Sequence, residues 1–203
     1  LRAEMPHLNM VLIGGNHDSP SKLDAPHELL RAFDLHLVGS ISRDDEGRLE
    51  TERLLVPLRG KNGEVAAWCA AVPFLRSSDL RPEGLSEGQD RLIEGVRQVY
   101  EAVLSEGRAR CNPNQALIAM GHAYLAAGQL SELSERRVLG GNQHALPAEL
   151  FAAADYTALG HLHLAQSPAE GVHYSGSPLP LSLAEANYNH QVLEVTFEEG
   201  KLA

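Results

Sequence analysis

Residues 154–166 read ADYTALGHLHLAQ. The apolar run from Tyr156 to Gly160 has the length of a buried strand rather than of a helix. It ends in glycine and is followed at once by His161 and His163. The same order recurs twice upstream. NMVLIGGNHD (9–18) runs from an apolar stretch through glycine to Asn16, His17 and Asp18, and QALIAMGH (115–122) ends on His122. Side chains at the C-terminal ends of strands are where open α/β sheets build their sites, and glycine there lets the backbone turn sharply and come close to a ligand. His161 and His163 are two residues apart, so on an extended chain they lie on one side, with Cα atoms about 6.5 Å apart at roughly 3.3 Å per residue. Two metals of a dinuclear site stand about 3.5–4 Å apart, so one histidine per metal is geometrically reasonable. Asn16 would add an oxygen ligand and His122 a nitrogen ligand. This donor mixture suits Mn²⁺, Mg²⁺, Fe²⁺ or Zn²⁺ and discriminates poorly among them.

Outward from these three points the pattern is mixed α/β. A helix is expected over 21–34, entered through Ser19 and Pro20, then a strand at 35–40 and a polar hairpin loop over 41–52. The runs 53–58 and 64–74 flank Lys61, Asn62 and Gly63, and Asn-Gly between two apolar runs marks a tight hairpin. From Ser86, the expected N-cap, to about Ala109, apolar residues at 92, 96, 99, 103 and 104 follow helical spacing. Strands at 172–176 and 190–197 close the chain. One layered α/β domain accounts for all of this.

The chain has 203 residues, 43% hydrophobic and 22% charged, with a net charge of −10. No apolar run is long enough to cross a bilayer, and the opening residues do not read as a secretory signal. Cys69 and Cys111 lie far apart, outside any CxxC pattern, which fits a reducing cytoplasm; Cys69, within AAWCAAV, reads as a core thiol. The acidity argues against a protein that grips nucleic acid with its own Lys and Arg alone, although bound metals and partner subunits can supply local positive charge.

In order and spacing, GNHD (15–18), GH (121–122) and GHLH (160–163) resemble the later motifs of calcineurin-like metallophosphoesterases. GNHDSP (15–20), VPFLR (72–76), ADYTALGHLHLAQ (154–166), YSGSPLPLSLAEA (174–186) and VTFEEGKL (195–202) narrow the resemblance to the SbcD family of bacterial nuclease subunits, over almost the whole chain. The resemblance implies a layered β-sandwich flanked by helices. It implies that Asn16, His122 and His161 bind one metal and His163 the other. It implies that His17 stabilises the phosphate transition state or protonates the leaving oxygen, with Asp18 orienting it. It implies two divalent ions, Mn²⁺ above all with Mg²⁺ as the substitute, DNA as substrate, an SbcC-type ATPase as partner and a homodimer. Two earlier family motifs, an Asp-x-His and a Gly-Asp with a bridging carboxylate, do not occur in these residues. The expectation is therefore a domain over 1–203 that lacks its first strands, ends before or at the start of a capping region, and is catalytically silent by itself.

Each motif also has a plain reading. An isolated Asn-His-Asp is often only a polar turn, and a Gly-His after a strand is often structural; the case rests on their conjunction. His7, His27, His36, His144, His173 and His190 have no motif around them and read as surface or packing residues. Ser175 and Ser177 lack a Gly-x-Ser-x-Gly elbow and read as a tight loop near the site. Gly140-Gly141 reads as a loop, and Asp44, Asp45 and Glu46 as a solvated turn. Two rival functions stay open: another phosphatase or cyclic-nucleotide phosphodiesterase with the same motifs, or a non-enzymatic binding module.

Overall fold

The computed structural model describes residues 4, 5, 7–126, 128 and 145–203. The expected Gly140-Gly141 loop and His144 lie outside these. β1 (Met10–Ile13) leads through a loop to α1 (Pro20–Asp24) and α2 (His27–Arg31), and β2 (Leu35–Val38) then pairs parallel to β1. The single helix expected over 21–34 is two short ones. Pro26, which has no N–H to continue the ladder and whose ring crowds the preceding turn, separates them and caps α2.

β3 (Leu55–Arg59) and β4 (Val65–Ala71) form the expected antiparallel hairpin, closed by Gly60 N–H donating to Glu64 O and by Gly63 at φ 81°. Before it, residues 43–49 fold back through an Arg43–Leu49 bridge whose tip is held by the Asp44 carboxylate. α3 (Arg91–Arg110) follows, then β5 (Ala116–His122), β6 (Tyr156–Gly160), β7 (Gln166–Ala169) and β8 (Val172–Tyr174). Among the described residues, six strands form one mixed sheet in the order β3-β4-β5-β6-β8-β7, with β4, β5, β6 and β8 parallel. β7 has no apolar run to announce it. It is an irregular edge strand carrying Pro168, and edges are where strand prolines are tolerated.

α3 packs on one face of this sheet. Val96, Val99, Tyr100, Val103 and Leu104 are buried there with Leu55 and Leu117. Along β5, alternate residues point to opposite faces. Leu117 and Gly121 lie against α3 and His122 on the other face, beside Gly15 in the loop after β1. Cys69 is fully within the core, and burial pushes its thiol up to about 12, as an inert packing residue requires. Trp68 on β4 is covered by the Arg110 guanidinium 5.5 Å from its ring centre, at the C-terminal end of α3. No helix among the described residues is long and apolar enough to cross a membrane.

Two further expectations fail. Residues 190–196 are not a strand. Only β9 (Phe197–Glu198) and β10 (Lys201–Leu202) pair, as a minimal hairpin turning at Glu199 and Gly200. An extended run becomes a strand only with a partner backbone, and here Val192 is 85% exposed. The second is the cap of α3, which is Asp90 rather than Ser86. The Asp90 carboxylate accepts from the N–H groups of Leu92 at 2.8 Å and Ile93 at 3.2 Å, while Ser86 sits in a turn closed by Gln89. Replacing Asp90 with Ala should lower stability by about 1 kcal/mol, measured by denaturant unfolding. Ser86→Ala should change it by less than about 0.5 kcal/mol, and equal losses in the two would reject this cap.

Candidate functional site

The parallel register of β5 and β6 pairs His122 with Gly160, so His161 begins one residue beyond the ladder. The imidazole of His122 fills a slot between two backbones. A Cβ at Gly15 would lie 2.9 Å from its Cε1, and a Cβ at Gly160 would lie 2.9 Å from its Nδ1. Neither glycine has a positive φ. Their use is therefore space for this ring rather than the sharp turn expected from sequence. Phe74 adds an edge contact, its ring centre 6.0 Å from that of His122.

His122 Nε2 is 2.9 Å from Asn16 Oδ1, and the rings of His122 and His161 stand 5.3 Å apart. Asn16, His17, His122, His161 and His163 line one cavity of about 540 Å³ together with Ser175, Ser177 and Leu181. The four residues expected to ligate metal thus share one opening. Burial, with a smaller contribution from the neighbouring histidines His161, His17 and His163, lowers the His122 pKa to about 4, while Asp18 acts in the opposite direction. Burial also lowers that of His161, with His163 and His17 adding to it. Both shifts favour the uncharged ring, the form in which a histidine can ligate a metal.

The donor chemistry fits a divalent cation. Asn16 supplies an amide oxygen, and His122, His161 and His163 supply imidazole nitrogens, to one opening, the mixture of donors that divalent metals accept. Among the described residues, however, no three His, Cys, Asp or Glu side chains are gathered closely enough to hold a metal by themselves.

Asp18 does not do what was expected of it directly. Its carboxylate accepts from Gly15 N–H at 2.7 Å and makes no hydrogen bond to His17. At three residues' separation it reaches back and closes the turn on which the exposed His17 sits. Arg76, at the end of the VPFLR stretch, holds the same turn from outside by donating to the Asp18 carbonyl at 2.8 Å. The loop 175–177 is a tight loop as expected. Gly176 has φ 77° and a Cβ there would meet His163 O, while Ser177 N–H donates to that carbonyl at 2.9 Å.

Glu185 lies inside the YSGSPLPLSLAEA stretch that carries the resemblance, but no motif gives it a role; it is a fully buried acid whose Oε1 lies 2.7 Å from His163 Nδ1. Nor does any motif single out His190, whose two ring nitrogens lie within hydrogen-bonding distance of Ser177 O and Glu185 O, a neutral ring donating to one of them. One acid among small and apolar residues carries no spacing signal. His173, also without motif context, packs against the core strand by stacking on Tyr156, with ring centres 5.4 Å apart.

His161 has φ 100°, a region that side-chain-bearing residues rarely adopt. Such a conformation costs about 1–3 kcal/mol and persists where surrounding structure enforces it, often at a functional site. Glycine would relieve it. In chelator-treated protein, His161→Gly should therefore melt at a higher temperature than His161→Ala, by an amount worth about 1 kcal/mol; an alanine variant of equal or greater stability would show that no strain resides there.

No family model matches the chain. Among curated proteins it is 42% identical over 193 residues to the SbcD subunit of the SbcCD nuclease of Rhodobacter capsulatus, covering 92% of this chain and 47% of that protein. It is 31% identical over 201 residues to the proteins of the same name from Escherichia coli K12 and Bacillus subtilis 168, covering 96% of this chain and 48% of each. The chain spans about half the length of the curated relatives it matches. Similarity of this extent to proteins of one name, running over 92–96% of the chain, shows that the chain belongs to the SbcD family.

Proposed function

We propose that this chain carries the catalytic histidines of a DNA nuclease subunit that hydrolyses phosphodiester bonds with two divalent metals, within a calcineurin-like sandwich. The observation that carries the reading is the convergence of Asn16, His17, His122, His161 and His163 on one cavity from three separate strand ends. The relatives' name, that of the SbcD subunit of the SbcCD nuclease, supports it and weighs against the rival small-molecule phosphatase. It also supports a complex with an SbcC-type ATPase. The proposal extends to a whole protein that trims duplex ends, cuts single strands or hairpins and forms a homodimer.

In this reading Asn16, His122 and His161 hold one cation and His163 the other, with Mn²⁺ preferred and Mg²⁺ accepted. Bound there, the two ions would supply Lewis-acid polarisation of the phosphate and a water acidic enough to attack at neutral pH. The chain's own residues do the rest. Neutral His122 and His161 offer lone pairs. His17, exposed at the rim, donates to a phosphate oxygen or gives its proton to the departing one. Asp18 acts on His17 through the backbone, by closing the turn with Gly15, and Arg76 steadies that turn. With a net charge of −10, long-range attraction of DNA falls to the metals and to partner subunits.

The full-length protein with its ATPase, assayed on linear duplex DNA with Mn²⁺, separates these roles. His17→Ala should lower kcat about 10²–10⁴-fold with Mn²⁺ affinity unchanged, whereas His161→Ala should lose both. Undiminished cleavage in either variant would remove the role assigned to that residue.

A further inference from the structure

We infer that Glu185 is a positioning residue for the metal centre, fixing the ring of His163 as an Nδ1–H donor so that Nε2 is the nitrogen presented to a cation. Glu185 is 0% exposed, and its two carboxylate oxygens have separate duties. Oε1 faces His163 Nδ1 at 2.7 Å, and Oε2 accepts the Leu181 N–H at 2.8 Å. A carboxylate only accepts hydrogen bonds, so the ring nitrogen facing it carries the proton. The hydrogen bond made by one ring nitrogen decides which nitrogen is left to bind metal, and it makes that nitrogen a better ligand.

The backbone of Glu185 is itself tied into a closed circuit. His163 O accepts from Ser177 N–H at 2.9 Å, Ser177 O meets His190 Nδ1 at 2.8 Å, His190 Nε2 meets Glu185 O at 3.1 Å, and Glu185 returns to His163. The 177–190 segment, polar at each crossing point, thereby ties both the backbone and the ring of one histidine. A buried acid costs free energy unless it is hydrogen-bonded. Here its partners include the ligand ring and the backbone N–H of Leu181, a residue that lines the same cavity. The inference rests on the metal-binding reading above, and on His163 within it.

The test begins with the full-length protein free of metal, using long-range ¹H–¹⁵N correlation of the histidine rings. His163 should appear as the Nδ1–H tautomer. Glu185→Gln keeps the size of the side chain but replaces one accepting oxygen with an NH₂ that cannot accept, so the circuit loses a bond. It should shift the ring toward the Nε2–H form and weaken Mn²⁺ binding ten- to a hundredfold by calorimetry, and Glu185→Asp, which keeps the charge, should recover part of that loss. Should Glu185→Gln fail to fold, the wild-type tautomer decides alone. An Nε2–H ring in the wild type, or a folded Glu185→Gln protein binding Mn²⁺ within twofold of wild type, would overturn the assignment. His163→Ala with undiminished Mn²⁺ binding would instead sink the metal reading itself, and the metal-free tautomer would still decide separately for or against Glu185.

Discussion

The ring of His122 sits where side chains at positions 15 and 160 would otherwise be, and the arrangement around the cavity follows from that one fit. Two backbones approach a single imidazole closely enough that a methyl group on either would collide with it. The loop after β1 is thereby brought against the end of β5, which puts Asn16 within hydrogen-bonding distance of His122. The end of β6 is held in register by the same ring, and the chain must leave it through the unusual backbone at His161. Interiors close-packed to this degree tolerate little volume change, so the glycines are as much part of the site as the polar residues that follow them.

Legibility in the sequence tracked the physics of each element. The strands ending at Ile13, His122 and Gly160 were readable because a buried parallel strand needs a continuous apolar run, and so was the Asn62-Gly63 hairpin, whose turn demands those residue types. The helix beginning at Arg91 was readable in its apolar stripe but not in its start, because Ser86 and Asp90 are both competent caps and only packing chooses between them. The strand expected over 190–197 shows the limit: alternation supplies a face, but a strand also needs a neighbour, and among the described residues no strand pairs with 190–196.

The site divides in the same way. Asn16, His122, His161 and His163 could be named from sequence because each follows a strand-ending glycine, a local pattern. The contacts that hold them could not. Glu185 and His163 are 22 residues apart, and Arg76 and Asp18 are 58 apart; nothing in the intervening sequence encodes either pairing. Asp18 departs from expectation for a related reason. A carboxylate beside a histidine in sequence invites a direct bond, yet an Asp three residues past a glycine reaches the glycine N–H more readily.

The chain has a single tryptophan, Trp68, lodged on β4 under the guanidinium of Arg110. Tryptophan emission from these 203 residues therefore originates at the seam between the sheet and the far end of α3. It reports whether the helix is docked, and it is poorly placed to register events at the histidine cavity. A spectroscopist would see global melting clearly by this signal and would need a different probe to follow occupancy of the site.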